Sequence, residues 1–283
     1  MDGNGTLATH GVLSKLSYAL RSEVGLVRES NEDYCDAYAP TTPDDAWDRG
    51  PLFVVADGMG GHAAGEVASR VAVEAALHEW TTGQASAAVQ GLRGAIRCAN
   101  TEVYDASIEP GHRGMGTTIV ALTFAGRDAI IGHVGDSRAY LVHGAECSQL
   151  TADHSRVGEM VRMKLLTPDE AAAHPARSQL TRSLGADLTV QVDLTRQRIE
   201  RGDTIVLCTD GLWDIVSRAE IASSVDHRDS STPPPPTAGV DSLVDLALKR
   251  GAPDNVTVLT VAMTSSLPIP AASGRRLFRR GRH

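Results

Sequence analysis

Runs of apolar residues along the chain predict strands and helices that come in blocks. Residues 52–56 form an uninterrupted apolar run that stops at Asp57-Gly58, which is typical of a buried strand entering a turn. Residues 66–80 instead carry apolar side chains at helical spacing. The same criteria predict strands at 17–24, 52–56, 117–124, 129–134, 139–142, 189–193, 204–208 and 256–262, helices at 66–80, 85–106, 212–225 and 240–249, and a polar, helix-prone stretch at 154–174.

The order of these elements predicts the fold class. Blocks of strands and helices, without regular alternation, favour antiparallel sheets with helices packed outside them, an α+β layered architecture. We expect one domain over residues 16–264, because no linker in the middle of the chain divides it. Residues 1–15 are predicted to be a disordered leader and residues 265–283 a flexible, arginine-rich tail.

Composition excludes several classes of protein. The 283 residues are 42% hydrophobic and 22% charged, near the averages for globular proteins. No apolar run approaches the ~20 residues that span a bilayer, and the four cysteines form no CxxC pair. We therefore expect a soluble, cytoplasmic, monomeric protein without a transmembrane segment.

The formal net charge of −8 is unevenly distributed. Residues 275–283 contain five arginines and no acid, which leaves 22 basic against 35 acidic residues, or −13, for the rest. This acidic excess is a poor match for a phosphate backbone, so nucleic acid is not an expected partner. The arginine tail suits either an anionic lipid or acidic partner, or a disordered solubilising end.

Four aspartates stand at the ends of predicted strands. Asp57, Asp136 and Asp210 follow apolar strands, whereas Asp254 precedes one. Since the end of one antiparallel strand lies beside the start of its neighbour, we expect these carboxylates to gather at one edge. Crowded carboxylates repel one another unless cations neutralise them, and oxygen ligands without a Cys or His cluster favour Mg²⁺ or Mn²⁺. Taken singly, each Asp-Gly or Gly-Asp pair is more simply interpreted as a turn.

Two neighbouring segments strengthen the interpretation as a binding site. The glycines of Asp57-Gly58-Met59-Gly60-Gly61-His62 let the backbone approach a ligand closely, although a plain flexible loop is the alternative. Asp214 lies four residues after Asp210, so the two side chains face the same way if Asp210 opens a helix. A carboxylate favoured by the helix dipole explains Asp214 as well.

Seven motifs, taken in order, resemble those of the metal-dependent (type 2C) Ser/Thr protein phosphatases, in particular their compact bacterial branch. They are Gly25-x-x-Arg28-x-x-Asn31-Glu32-Asp33, Val55-Ala56-Asp57-Gly58-Met59-Gly60-Gly61-His62, Gly116-Thr117-Thr118, Val134-Gly135-Asp136-Ser137-Arg138, Thr151-x-Asp153-His154-Ser155, Cys208-Thr209-Asp210-Gly211-Leu212-Trp213-Asp214 and Asp254-Asn255-Val256-Thr257. The resemblance covers residues 17–262. It implies a β-sandwich of two antiparallel sheets flanked by helices (α-β-β-α layers), with two metal ions at one end.

The resemblance also implies a ligand set for two Mn²⁺ or Mg²⁺ ions in one active site. Asp57 is implied to bridge both ions, and the carbonyl of Gly58 to bind one of them. Asp210 and Asp254 are implied to bind the ion on the other side.

Further carboxylates are implied to support these ions. Glu32 acts mainly through a metal-bound water, with Asp33 nearby, and Asp136 and Asp214 help to form a third, weaker metal site. The implied reaction is hydrolysis of a phosphomonoester by a metal-activated water.

Two residues are implied to be catalytic. Arg28 holds the substrate phosphate, because a guanidinium makes paired hydrogen bonds to phosphate oxygens and stays charged. His62 is the implied general acid for the leaving serine or threonine alkoxide, since imidazole titrates in the right range. An ordinary loop histidine is the alternative for His62.

The resemblance implies phosphorylated proteins as partners, in particular bacterial Ser/Thr kinases and their substrates. Two alternatives are a pseudo-phosphatase that binds phosphoproteins without turnover and a hydrolase of small phosphomonoesters. Residues at about 155–183 match the family's flap, a mobile segment beside the active site. The family's usual glycine before the Leu-Thr turn of the flap is replaced here by Lys164-Leu165-Leu166-Thr167, which leaves flap mobility and substrate choice open.

Overall fold

Two antiparallel sheets with helices on their outer faces make up the described residues of this computed structural model, 7–13, 15–40, 50–60, 64–85, 87–226 and 236–265. The strands are β1 (Leu7–Leu13), β2 (Leu16–Glu23), β3 (Asp33–Tyr38), β4 (Leu52–Met59), β5 (Gly116–Thr117), β6 (Ile119–Ala125), β7 (Asp128–Val134), β8 (Arg138–His143), β9 (Glu146–Gln149), β10 (Asp193–Arg198), β11 (Thr204–Cys208) and β12 (Val256–Met263). The helices are α1 (Ala64–Thr82), α2 (Ala88–Ser107), α3 (Arg156–Arg162), α4 (Pro168–Ala172), α5 (Asp210–Trp213), α6 (Arg218–Val225) and α7 (Thr237–Lys249). Across these ranges, no helix is long and apolar enough to pass through a bilayer.

The strand order of each sheet confirms the predicted sandwich. The first sheet has the order β1-β2-β12-β11-β8-β9, and the second has the order β10-β7-β6-β4-β3, with β5 paired to β4. One apolar layer lies between the sheets, a second lies between the second sheet and helices α1 and α2, and a third lies between the first sheet and helices α5 to α7. The architecture is therefore the expected α-β-β-α sandwich.

Strand β4 shows why a continuous apolar run is needed in this fold. Successive side chains of a strand point to opposite faces, so each face receives every second residue. Leu52 and Val54 belong to the layer under the helices, whereas Phe53 and Val55 belong to the layer between the sheets. All four side chains are fully buried, so both faces of β4 require apolar residues.

The prediction of a disordered leader at residues 1–15 is wrong where the structure describes those residues. Leu7–Leu13 forms β1, which pairs with β2 along its whole length. The strand was missed because it is a sheet edge whose side chains are mostly exposed, so its sequence lacks an apolar face. The predicted tail lies outside the described residues, apart from Ser265.

Two other predicted elements differ in the structure. The strand predicted at 189–193 is irregular, and the strand in this region is β10, an edge strand that starts at Asp193. The helix predicted at 212–225 is divided into α5 and α6. Ser217 caps α6 in a capping box with Glu220, so a new helix starts there.

The flap, residues at about 155–183, contains α3 and α4. Lys164 follows α3 in a left-handed conformation with φ of +58°. For a residue with a side chain, this backbone conformation is less stable than for glycine, by about 1 kcal/mol. The glycine missing from the sequence motif therefore corresponds to a position where the backbone favours glycine.

Phe53 provides a test of the layer between the sheets. The ring is fully buried, with ring centroids 5.2 Å from Tyr18 and 6.5 Å from Phe124. We expect Phe53→Ala to lower the free energy of unfolding by about 3–5 kcal/mol, because it leaves a cavity between the sheets. Urea denaturation measures the change.

Val12→Ala is the control, at a residue of β1 that is 71% exposed. Its free energy of unfolding should stay within about 0.5 kcal/mol of the parent's. A loss below about 1 kcal/mol for Phe53→Ala would contradict this packing.

Candidate metal centre and active site

The strand register brings the predicted acidic residues to one end of the sandwich. Asp57 lies near the end of β4, directly opposite Asp33 at the start of β3. Asp210 follows β11 and opens α5, Asp254 precedes β12, and Asp136 lies in the turn between β7 and β8. Neighbouring strands within each sheet are antiparallel, so the end of one strand lies beside the start of the next, as the sequence predicted.

Asp33 joins the two sheets at this end. Its Oδ2 accepts hydrogen bonds from Thr209 Oγ1 at 2.8 Å and Thr257 Oγ1 at 2.7 Å. Ser22 Oγ lies 2.7 Å from Thr257 Oγ1 and accepts a hydrogen bond from Asn31 Nδ2 at 2.8 Å. The buried carboxylate in the second sheet therefore fixes β11 and β12 of the first sheet. The resemblance implies only that Asp33 lies near the metals, and it assigns no role to the two threonines.

Asn255 is a further residue whose role the sequence did not predict. Its Nδ2 donates to the carbonyls of Val24 at 2.8 Å and Ser30 at 2.9 Å, and its Oδ1 accepts from the Glu32 N–H at 2.9 Å. These bonds hold the segment between β2 and β3, which carries Arg28 and Glu32. The sequence signal for this role is an asparagine between Asp254 and the start of β12.

Backbone contacts at Gly58 bring the carboxylate-bearing loops together. The Gly58 N–H donates to the Glu32 carbonyl at 3.0 Å. A Cβ at Gly58 would lie 2.0 Å from the Gly65 carbonyl oxygen, and a Cβ at Gly65 would lie 2.7 Å from the Glu32 carboxyl carbon. The loops approach this closely only because both positions are glycine.

Burial and mutual repulsion raise the pKa values of the central carboxyls. Burial raises the pKa of Asp57 well above its usual range, and the charges of Asp33, Asp210, Asp136 and Asp254 raise it further. Burial raises the pKa of Asp33 and that of Asp136 each to about 7, although the threonine hydrogen bonds oppose the shift at Asp33. The pKa of Asp210 rises to about 6, from burial and the nearby charge of Asp254. The charges of Asp33, Asp136, Asp210 and Asp254 all act on Asp57, so this carboxyl lies at the centre of the cluster.

Little positive charge from the protein compensates this cluster. Among the described residues, no ion pair reaches Asp57, Asp136 or Asp210. Arg28 Nη2 donates to Asp254 Oδ2 at 2.8 Å, at a position where both side chains are partly exposed. Buried carboxylates without paired cations, all offering hard oxygen atoms, suit Mg²⁺ or Mn²⁺. The donor set therefore fits the implied metals.

The remaining predicted residues lie around this centre. Burial raises the pKa of Glu32, whose carboxylate interacts with the charges of Arg28 and Asp254. The Asp136 carbonyl accepts a hydrogen bond from Trp213 Nε1 at 3.2 Å. Asp214 raises the pKa of neighbouring Asp210 and forms an ion pair with Arg177 of the flap at 3.2 Å. The predicted general acid, His62, lies outside the described residues.

A second group of potential metal ligands lies beside the flap. His133, His154 and Asp193 have ligand-type atoms within 4.8 Å of one another. The Gly135 N–H donates to His154 Nδ1 at 3.1 Å, and His154 Nε2 lies 3.1 Å from Asp193 Oδ2 and 3.0 Å from Arg182 Nη1. A metal on Nε2 would require the proton on Nδ1, where it would meet the Gly135 N–H. Arg182 Nη1 also bonds to Asp193 Oδ1 at 2.7 Å. The group is therefore a hydrogen-bond network that does not suit a cation.

Comparison with known proteins supports the resemblance seen in the motifs. A sequence model of the family described as Protein phosphatase 2C matches residues 28–241, about three quarters of the chain. The chain belongs to this family. It is 39% identical over 245 residues to the serine/threonine protein phosphatase PstP of Mycobacterium tuberculosis, a match that covers 86% of this chain and 44% of PstP. The chain thus spans about half the length of that relative.

A further relative and a solved catalytic domain are both matched over nearly their whole length. The protein phosphatase PhpP of Streptococcus pneumoniae is 34% identical over 252 residues, which cover 88% of this chain and 98% of PhpP. A crystal structure of the PstP catalytic domain in complex with two manganese ions superposes on this chain with a TM-score of 0.74. The two sequences are 36% identical, and the match covers 89% of this chain and 99% of the crystallised one. The fold of the family is thereby shown for this chain.

The raised pKa values predict that acidification stabilises the metal-free protein. Asp33 and Asp136 have pKa values of about 7 in the folded protein and ~3.9 when unfolded. Between pH 8 and about 6.5 these groups take up protons only in the folded state, so stability rises as pH falls. Burial lowers the pKa values of His133 and His154. At lower pH these histidines therefore gain protons on unfolding, which opposes the rise in stability. Thermal melts in chelator, followed by circular dichroism, measure the effect.

Asp136→Asn is the matched control for this pH dependence. The variant keeps the size of the side chain but does not titrate, so its gain in Tm between pH 8 and 6.5 should be smaller than that of the parent. Saturating Mn²⁺ should also flatten the parent's profile, since ligand carboxylates stay ionised. A chelator profile of Asp136→Asn with the parent's slope would contradict the shift at Asp136.

Proposed function

We propose that this protein is a metal-dependent phosphoprotein phosphatase that hydrolyses phosphoserine and phosphothreonine monoesters. The observation that carries the proposal is the convergence of Asp57, Asp210 and Asp254 with other buried carboxylates at one end of the sandwich. Named Ser/Thr phosphatases among the relatives support the same activity. The chemistry of the site and the similarity to known phosphatases therefore support the same activity.

In this proposal the strand-end carboxylates hold two Mn²⁺ or Mg²⁺ ions. Asp57 would serve as a ligand to both ions and the Gly58 carbonyl to one of them, while Asp210 and Asp254 would hold the ion on the other side. The two manganese ions in PstP support this stoichiometry. When bound, such cations lower the pKa of coordinated water and offset charge on the phosphoryl oxygens.

The outer carboxylates are assigned supporting roles. Glu32 would act through a water molecule beside the ions, and its backbone N–H donates to Asn255 Oδ1. Asp136 and Asp214 would hold a third, more weakly bound cation. Arg177 pairs with Asp214 in this structure, so the guanidinium occupies one of the carboxylates that this site requires.

Arg28 and His62 act on the substrate in this proposal. Arg28 lies among Asp254, Glu32 and Asp210, at the partly exposed rim of the cluster. From there its guanidinium can exchange one hydrogen bond to Asp254 for bonds to a phosphate dianion. His62 delivers the proton that the serine or threonine leaving group needs.

The proposed substrates are phosphorylated proteins, in particular Ser/Thr kinases and their targets in the cytoplasm, and the protein acts as a monomer. A pseudo-phosphatase would bind phosphoproteins without turnover, which the retained carboxylates at 57, 210 and 254 make unfavourable. A hydrolase of small phosphomonoesters would use the same ions. Comparing kcat/KM for phosphothreonine peptides, an autophosphorylated kinase and small metabolites, each with Mn²⁺, Mg²⁺ or chelator, separates these functions.

Removal of one ligand tests the metal assignment. We expect Asp210→Asn to lower Mn²⁺-dependent hydrolysis of p-nitrophenyl phosphate by about 100-fold or more, because several kcal/mol of charge stabilisation is lost. Stopped assays over a Mn²⁺ titration give kcat and the apparent metal affinity. The matched control is Asp105→Asn, at an exposed aspartate of α2, which should retain parental activity. Parental activity in Asp210→Asn would remove Asp210 from the metal site.

The phosphate-holding role of Arg28 predicts an effect mainly on KM. Arg28→Ala should raise KM for p-nitrophenyl phosphate about tenfold or more, because a charge-assisted hydrogen bond to the phosphate is lost. Arg28→Lys keeps the charge without the paired donors, so it should fall between parent and alanine variant. Calorimetry should find Mn²⁺ affinity undiminished in Arg28→Ala, since the substitution removes a positive charge beside Asp254. A KM of Arg28→Ala for p-nitrophenyl phosphate equal to that of the parent would exclude the phosphate-holding role of Arg28.

A further inference from the structure

The turn that leads into Arg28 carries two exposed apolar side chains. Leu26 is 65% exposed and Val27 is 68% exposed, and the residue that follows them is Arg28, the proposed phosphate holder. Single exposed apolar residues are common on protein surfaces and need no explanation. Within the described part of the chain, however, no other two consecutive residues are both large, apolar and exposed. We call Leu26 and Val27 the apolar rim.

Backbone contacts fix the apolar rim against the segment that contains Asp254. The Leu26 N–H donates to the Ala252 carbonyl at 3.0 Å. Gly25 has φ of +81°, and a Cβ there would lie 2.3 Å from the Asp254 carbonyl oxygen. Because the two backbones touch at this point, only glycine fits at position 25. The apolar rim therefore begins next to a backbone contact with a proposed metal ligand.

The fold itself does not require apolar side chains at the rim. Asn255 Nδ2 donates to the Val24 carbonyl at 2.8 Å and to the Ser30 carbonyl at 2.9 Å, one on each side of the rim. These bonds, like the one from the Leu26 N–H, hold the turn by its backbone. The two apolar side chains extend into water, where apolar surface is unfavourable. Polar residues would suit both positions equally well, so the apolar surface is available to a ligand.

The charges around the rim discriminate between possible ligands. Glu29, which follows Arg28, is exposed, and the charges of Asp254 and Glu32 act on the Arg28 guanidinium. An acidic side chain next to a bound phosphate would approach these carboxylates and be repelled by them. An uncharged aliphatic side chain would instead cover the apolar rim and remove it from water. The surface is therefore complementary to an aliphatic residue that accompanies a phosphate.

A peptide whose phosphate binds to Arg28 comes within side-chain reach of the rim. Consecutive Cα atoms are about 3.8 Å apart, so the Cα atoms of Leu26 and Val27 both lie within about 8 Å of that of Arg28. An extended peptide advances about 3.3 Å per residue. The residues one or two positions from a bound phosphoresidue therefore lie at a comparable distance from it.

We propose that Leu26 and Val27 form a subsite for an aliphatic side chain one or two residues away from the phosphorylated residue of the substrate. The inference rests on the proposed function, which supplies the phosphate site at Arg28. It narrows the substrate class to phosphopeptides that carry an aliphatic residue, and no acidic one, beside the phosphoresidue. Because the contact is the same in the ground state and the transition state, it lowers KM and leaves kcat unchanged.

Phosphothreonine peptides that differ at one position test the subsite in the parent protein. Leu, Ser or Glu is placed in turn at the two positions before and the two positions after the phosphothreonine, in a constant host sequence, and kcat and KM are measured with Mn²⁺. At one or more of these positions, Leu should raise kcat/KM about fivefold or more over Ser, through KM. Glu should lower kcat/KM about fivefold or more relative to Ser.

The double variant Leu26→Asn with Val27→Thr removes the apolar character of the rim at nearly constant size. The preference for Leu over Ser should fall below about twofold, because no apolar surface remains to be covered. Discrimination against Glu should persist, because the carboxylates are still present. Hydrolysis of p-nitrophenyl phosphate, which has no flanking residue, normalises each preparation. Val12→Thr, at an exposed valine of β1, is the matched control and should keep both parental preferences.

Several outcomes would overturn the subsite. A parent without a preference for Leu at any of these positions would do so, as would a double variant that keeps the parental preference; the proposed function survives both results. Loss of both preferences together would show that the variant displaces Arg28, and it would equally refute the subsite. If the double variant does not fold, Val27→Thr alone, which preserves the shape of the side chain, should reduce the Leu preference about twofold.

Two further results separate the remaining alternatives. A parent that hydrolyses p-nitrophenyl phosphate but none of the peptides refutes the proposed function, and with it this inference. Analytical ultracentrifugation tests a second copy of the chain as the occupant of the rim. A dimer of the parent that dissociates in the double variant would assign the rim to self-association and overturn the subsite, whereas a monomer in both agrees with it.

Discussion

Repulsion among buried carboxylates at one end of the sandwich is the constraint on which the rest of the structure depends. Burial and like charge both disfavour the ionised forms of Asp33, Asp57, Asp136 and Asp210. Such a cluster persists only if a frame elsewhere in the fold holds it, because removing charge from water is costly. Divalent cations held by the cluster would reverse the balance, since a ligand that binds only the folded state stabilises it by mass action.

The frame that holds the carboxylates is the pairing of the two sheets at this end. Asp33 accepts hydrogen bonds from Thr209 and Thr257 of the other sheet, and Asn255 clamps the segment that carries Glu32. The backbone around the site is therefore fixed before any ligand binds, which is what electrostatic catalysis of phosphate hydrolysis requires. The flap contacts this end of the sandwich through the ion pair between Arg177 and Asp214.

Particular elements show what could be predicted from local sequence. The apolar run at 52–56 and the run at 204–208 are strands because only buried strands need apolar residues on both faces. The strands that were missed, β1, β3 and β9, carry polar side chains or lie at a sheet edge, so their order comes from hydrogen bonds to neighbours. The same reason explains the displaced β10. Local sequence does not encode a partner strand that is distant along the chain.

The sequence by itself determined the class of fold and the acidic residues that come together at one end of the sandwich, because strand ends and Asp-Gly turns are local signals. Only the tertiary structure decided how these residues interact. Arg28 pairs with Asp254 and Arg177 with Asp214, contacts between residues more than thirty positions apart along the chain. His154, to which the motif alone assigned no specific contact, lies between Asp193 and the backbone of Gly135. These contacts depend on the packing of segments that are distant along the chain. Packing and burial set both the distances between the side chains and their pKa values, so a short stretch of sequence determines neither the distances nor the pKa values.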